Sequence, residues 1–142
     1  MKTIVLVVVM LWCVMTAGIC QAGLVEDGTV KVGDLVWLKN ANCFGKMGWA
    51  SAMYAAGNLS TGQCGLTDKS TPGQWRLPTS QELGLIYDSK SQFPTVQPSG
   101  YWSSRESGKN NGSASGVNMY NDVEYTDKKV SGYYVWPVRS GP

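Results

Sequence analysis

The side chains that usually perform chemistry are scarce in this sequence, and the most versatile is missing. None of the 142 residues is histidine. That excludes Ser–His–Asp and Cys–His catalysis, imidazole-ligated zinc and the commonest general base. Of the four cysteines, Cys13 and Cys20 fall in an apolar leader, leaving Cys43 and Cys64. An even pair in an exported chain reads as one disulfide, the alternative being two free thiols. A bond would close a loop of about twenty residues, contribute roughly 3 kcal/mol in the chain-entropy account, and leave no thiolate. The ten acidic residues are scattered, and no motif joins two of them as the paired carboxylates of a glycoside hydrolase. A non-catalytic role is expected.

What remains suits binding. Arg105, Lys109, Asn110 and Asn111 occupy one flexible polar loop, "RESGKNNGS", and Lys128 and Lys129 another. Side by side, these loops would form a cationic, amide-rich surface for sulfate or carboxylate groups on a glycan; the alternative is ordinary solvated loops. Oxygen ligands for calcium gather in "NDVEYTD" (Asn121, Asp122, Glu124, Asp127). A solvated hairpin tip accounts for the same residues. No metal and no cofactor are expected, and calcium near Asp122 and Glu124 stays open. Arg76, between Trp75 and Leu77, reads as a structural ion pair or carbonyl contact, the alternative being a ligand contact.

These residues need a scaffold outside the leader. Lys2, the apolar run Thr3–Met15 and the small residues of "TAGICQAG" form a signal-peptide pattern over 1–22, with cleavage between Ala22 and Gly23. A secreted or periplasmic location follows. The alternative is an uncleaved membrane anchor reaching Cys20, at the lower limit for a span. Without Lys2 there are eleven basic against ten acidic residues, too even a balance to drive nucleic-acid binding. Ile86 is the only isoleucine left, so aromatic residues carry much of the apolar surface. Trp37, Trp49, Trp75, Trp102 and Trp136 are read as core, each able to bury roughly 150–250 Å².

Residues 23–32 read as a linker and 33–142 as one α+β domain: two helices packed on an antiparallel sheet. "GDLVWLKN" is a strand apolar on both faces. "GKMGWASAMYAAGN" has helical spacing at Trp49/Met53 and Ala50/Tyr54, with Gly57 as a left-handed terminator. Cys43 and Cys64 would clamp the two ends of that helix. In "QWRLPTSQELGLIY", Thr79 and Glu82 fit a capping box, and Leu83, Ile86 and Tyr87 form the buried stripe of a second helix. Pro78 makes the entry abrupt. Strands follow in "GYWSS", "ASGVNMYN" and "VEYT", the last two a hairpin turning at Asn121–Asp122 without the usual glycine. "YYVWPVR" reads as a final strand in which Tyr134, Trp136 and Val138 share a face. Pro137 belongs at an edge or bulge.

Taken in order, "DLVWLKNANCFGKMGWASAMYAA", "QWRLPTSQELGLI", Phe93–Pro94, "YWSS" and "YYVWPVRSG" resemble the Lcl C-terminal domain family, from Gly33 to Gly141. The family, long a domain of unknown function, takes its name from a collagen-like adhesin of Legionella. It is distantly similar to C-type-lectin-like folds, including formylglycine-generating sulfatase modifiers with their "RLPT..E" helix entry. The resemblance implies an exported bacterial domain and, through the namesake, binding to sulfated glycosaminoglycans. Collagen-like repeats are absent here, as are the Glu-Pro-Asn and Trp-Asn-Asp triplets that carry calcium in many C-type lectins. Sulfatase-modifier chemistry would need cysteines in the C-terminal half, which has none. The resulting expectation is an adhesin-like recognition module with a glycan or protein ligand. An envelope protein-interaction domain without glycan binding is the alternative.

Overall fold

The computed structural model describes residues 26–109 and 111–142; the expected leader and Asn110 lie outside them. The strand expected in "LVWL" is β2 (Leu35–Leu38). Its partner β1 (Thr29–Val32) occupies residues expected to end a linker. They pair because Val30 and Val32 alternate with polar residues and pack against the core, a pattern too short to stand out from its polar surroundings. On the other edge of β2 lies β8 (Val138–Ser140), completing a three-stranded antiparallel sheet.

The second sheet is built from β3 (Lys46–Met47), β4 (Gly100–Glu106), β5 (Ser113–Asn118), β6 (Val123–Lys128) and β7 (Tyr133–Tyr134), in the order β3-β7-β4-β5-β6. Its pairings are antiparallel except where Tyr101 of β4 meets Tyr134 of β7 in parallel. The helices are α1 (Trp49–Gly57) and α2 (Ser80–Tyr87), with a 3-10 turn at Lys90–Gln92. The expected α+β class therefore holds among the described residues. No described helix is long and apolar enough to cross a membrane.

Each helix serves one of two aromatic-rich clusters. Trp37, Phe93 and Tyr101 surround Trp136 at centroid distances of 5.0, 4.8 and 5.6 Å, and Leu83 and Ile86 of α2 complete that cluster. Trp102, Leu77 and Val135 form the second with Trp49, Ala52 and Ala56 of α1. All five tryptophans are buried. Burying a ring N–H without an acceptor is costly. Trp136, Trp102 and Trp49 accordingly donate to the carbonyls of Leu38, Met47 and Ser103 at 2.8–2.9 Å.

One detail adds to the sequence reading and two correct it. In α1 the inward face is Trp49, Ala52 and Ala56, while Met53 and Tyr54 look outward. Ala52 and Ala56 are fully buried against the second cluster. Gly57 is the last helical residue rather than a left-handed terminator. Asn58 ends the helix, both its backbone and its side-chain N–H donating to the Tyr54 carbonyl, at 3.0 and 2.9 Å. Finally, "YYVWPVR" is not one strand. β7 belongs to one sheet and β8 to the other, with Val135 entering the second cluster and Trp136 the first. Pro137, unable to donate, sits at this crossing and accepts from the Leu38 amide at 3.1 Å.

The Cys43–Cys64 disulfide is present, with Cα atoms 5.7 Å apart, tying the turn before α1 to the loop after it. The capping box of α2 is complete. Upstream of it, Arg76 exchanges backbone hydrogen bonds with Val138 at 3.0 and 2.9 Å, so the entry to α2 is itself fastened to β8.

Candidate functional site

The candidate site is built where the regular β4–β5 pairing breaks. Trp102 faces Gly116, but the next paired residues are Glu106 and Ala114. Ser103, Ser104 and Arg105 therefore stand opposite Ser115 alone, a bulge of three residues against one. Such bulges bend a strand and re-aim its side chains. Here the freed backbone docks the start of α2: the Ser104 amide donates to the Pro78 carbonyl at 2.8 Å.

Serine hydroxyls fill the bulge. Ser80 at the start of α2, Ser103 and Ser115 form a triangle with edges of 3.2, 3.1 and 2.9 Å. Ser103 also donates to the Ser115 carbonyl at 2.9 Å, and the Arg105 amide donates to the Ser103 hydroxyl at 3.2 Å. Ser103 and Ser115 are buried, so this network both satisfies them and fixes the backbone that carries Arg105.

Above the network opens a cleft of about 390 Å³ lined by Thr79, Ser80, Gln81, Ser104, Arg105 and Glu124. Arg105 supplies its positive charge. The guanidinium reaches Glu124 only at 3.9 Å, with the two side chains 72% and 49% exposed. An exposed pair at that distance contributes little and yields readily to a better partner. The cleft thus combines hydroxyl, amide, carboxylate and guanidinium groups and contains no thiol or imidazole.

The structure brings the two expected basic loops together. The Lys129 amide donates to the Gly112 carbonyl at 2.9 Å, and Lys128 pairs with Ser113. Their side chains differ in role. Lys109, Asn111 and Lys128 are exposed. Lys129 is engaged in the fold, 3.1 Å from Glu106 and 4.5 Å above the Trp49 ring, while its carbonyl accepts the Trp49 amide. Arg76 makes the expected ion pair, bidentate to Glu82 at 2.7 and 2.9 Å, and also donates to the Leu77 carbonyl.

The acidic hairpin residues are dispersed by strand alternation. Glu124 faces the cleft on one side of β6, whereas Asp127, on the opposite side, accepts from the Tyr133 hydroxyl at 2.8 Å. That hydrogen bond is the main cause holding Asp127 below its ordinary range. Asn121 accepts from the Val123 amide at 3.2 Å. Among the described residues no three His, Cys, Asp or Glu side chains gather as metal ligands.

Sequence reasoning missed Ser80, Gln81 and Ser104 as cleft walls. The bulge that aims Ser104 and the docking of α2 against it are long-range pairings, with no local signal beyond the serine density of "YWSS". With this geometry in view, the chain matches the family model described as the Lcl C-terminal domain over residues 24–139. No curated protein matches it.

Proposed function

Because the chain belongs to the Lcl C-terminal domain family, we propose that it is an exported, non-catalytic recognition module. It takes an anionic glycan in the cleft between the start of α2 and the β4 bulge. The observation that carries this reading is Arg105: an exposed guanidinium, rigidly mounted through its backbone, weakly held by Glu124, and faced by Ser80, Gln81 and Ser104. A guanidinium fork matches sulfate and carboxylate oxygens, and the neighbouring hydroxyl and amide groups suit sugar hydroxyls. Lys109, Asn111 and Lys128 extend the polar surface beyond the cleft. The absence of histidine and the capture of Cys43 and Cys64 in the disulfide support a binding role over catalysis. The leader pattern and the disulfide support export, and similarity to C-type-lectin-like domains belongs to the same proposal.

A glycan array and a heparin column test it. The protein lacking residues 1–22 should be retained on heparin at low salt and released at moderate salt. Arg105→Ala should elute earlier without loss of thermal stability. Retention on neither support overturns the anionic-glycan reading.

One observation favours a second reading, an envelope domain that binds another protein. The Tyr87 hydroxyl donates to the Tyr120 carbonyl, joining the end of α2 to the β5–β6 loop. The segments so joined carry Leu85, Tyr120 and Val123, all more than half exposed. Pull-down from envelope extracts with wild type and a Leu85→Ser/Tyr120→Ser variant distinguishes the two: capture lost only in the variant supports this surface.

A further inference from the structure

The β4–β5–β6 face opposite the Arg105 cleft holds a second pocket of about 270 Å³, whose lining includes Ser99, Asn118, Asn121, Tyr125 and Tyr133. Strand pairing places Asn118, Gly116 and Tyr125 on this face, and Ser115, Val117 and Glu124 on the cleft face. The two openings are therefore separated by the sheet.

The polar groups here are oriented and unspent. Asn118 Oδ1 accepts the Tyr120 amide at 2.8 Å, and Asn121 Oδ1 accepts the Val123 amide at 3.2 Å. Those bonds determine which end of each side chain is oxygen, leaving both NH₂ groups as donors. Neither nitrogen bonds to another described residue. The Tyr125 hydroxyl has no partner among the described residues, but its oxygen is closed to solvent over Gly100 and Gly116, so the pocket is offered the ring rather than the hydroxyl. Burial pushes the hydroxyl's pKa up, so it stays neutral.

The apolar part is equally set. The Tyr125 and Tyr133 rings lie 4.5 Å apart, and Tyr133 is anchored through its hydroxyl to Asp127. Tyr125 occupies its place because Gly100 and Gly116 lie beneath it. A Cβ on either would come within 2.7 or 2.4 Å of the Tyr125 hydroxyl.

Among the described residues no lysine or arginine lines the pocket, and Tyr133 in its wall is bonded to the Asp127 carboxylate, so an anion is disfavoured. The volume lies below the range for drug-sized ligands, which fits one small ring. Two amide donors beside aromatic walls match hydroxyl-bearing rings with an apolar C–H face. We propose that this pocket binds an uncharged pyranose, as a second site independent of the Arg105 cleft.

The test is NMR titration of the ¹⁵N-labelled protein with the methyl glycosides of glucose, galactose and mannose and with N-acetylglucosamine. At least one should produce saturable shifts of the Asn118 and Asn121 side-chain amides at millimolar concentration. Asn118→Asp and Asn121→Asp each keep the acceptor for the backbone amide and remove the donor. Each should weaken binding roughly five- to tenfold, whereas Tyr125→Phe, which removes only the enclosed hydroxyl, should leave binding unchanged. Arg105→Ala should leave it unchanged. Absence of saturable shifts with all four sugars, or undiminished affinity in both asparagine variants, overturns the proposal. Failure of the wild-type protein to be retained on heparin, with neutral-sugar shifts intact, would overturn only the anionic cleft.

Discussion

Glu82 grips Arg76 through both carboxylate oxygens, at 2.7 and 2.9 Å, while its Oε1 also accepts the Thr79 amide at 2.8 Å. One side chain thus closes the capping box of α2 and secures the extended segment entering it. The cleft depends on that junction, since Thr79, Ser80 and Gln81 form one of its walls.

The junction has a pH signature. Glu82 is held below its ordinary range first by the hydrogen bond from Arg76, which with the Thr79 amide outweighs burial. A depressed carboxyl contributes stability that is present above its unfolded pKa and lost as pH falls through the native one. Glu82→Gln should therefore cost about 1–2 kcal/mol near neutrality. In urea melts at descending pH, the gap from wild type should narrow below 4.5, the ordinary glutamate value. A gap independent of pH would contradict this assignment.

The disulfide predicts reactivity. Protein lacking residues 1–22 should take up no iodoacetamide in its native state, and should be labelled at Cys43 and Cys64 only after reduction. Replacing both by serine should lower stability by roughly 3 kcal/mol. Labelling of the untreated protein would refute the bond.

Gly116 is set against backbone as well as side chain. An added Cβ would lie 2.2 Å from the Tyr101 carbonyl oxygen and 2.4 Å from the Tyr125 hydroxyl. Gly116→Ala should destabilise by about 2 kcal/mol or more. Pairing it with Tyr125→Phe should restore little, because the Tyr101 carbonyl cannot withdraw. Full rescue in the double variant would show that the side chain alone was the obstacle.

Two cations of the basic loops should behave oppositely. Lys129 stacks over Trp49 and pairs with Glu106, so Lys129→Ala should lose about 0.5–1.5 kcal/mol and change heparin retention little. Arg105→Ala should do the reverse. Thermal melts and salt elution, measured on both, separate the fold role from the binding role.

Much of the scaffold was legible because its signals are local. The capping box of Thr79 and Glu82, the Leu83/Ile86 stripe and the double-sided strand at Leu35–Leu38 each declare themselves within a few residues. The hairpin at Asn121–Asp122 was legible too, although it lacks glycine. Asp122 supplies the positive φ of 58° that the turn requires, which aspartate tolerates better than most residues. The spacing of Trp49/Met53 and Ala50/Tyr54 announced α1 but did not say which of its faces is buried. Only contact with Trp102 and Leu77 shows that alanine belongs inside.

The candidate site was legible as residues and illegible as a place. Arg105 stood out as a cation in a polar loop. Its mounting on a three-to-one bulge, and its position facing Ser80 and Gln81 from more than twenty residues away, did not.

By itself the sequence determined the family, the α+β class, the cysteine pair and the use of tryptophans as core. These follow from local periodicity, capping chemistry and composition, which need no knowledge of where the chain returns. The tertiary structure alone decided which cations are free and which are spent. It also split "YYVWPVR" between two sheets and left the Tyr125 hydroxyl without a partner among the described residues. Those outcomes depend on pairings across tens of residues, where competition for a common core and a shared hydrogen-bond supply decides each side chain's role.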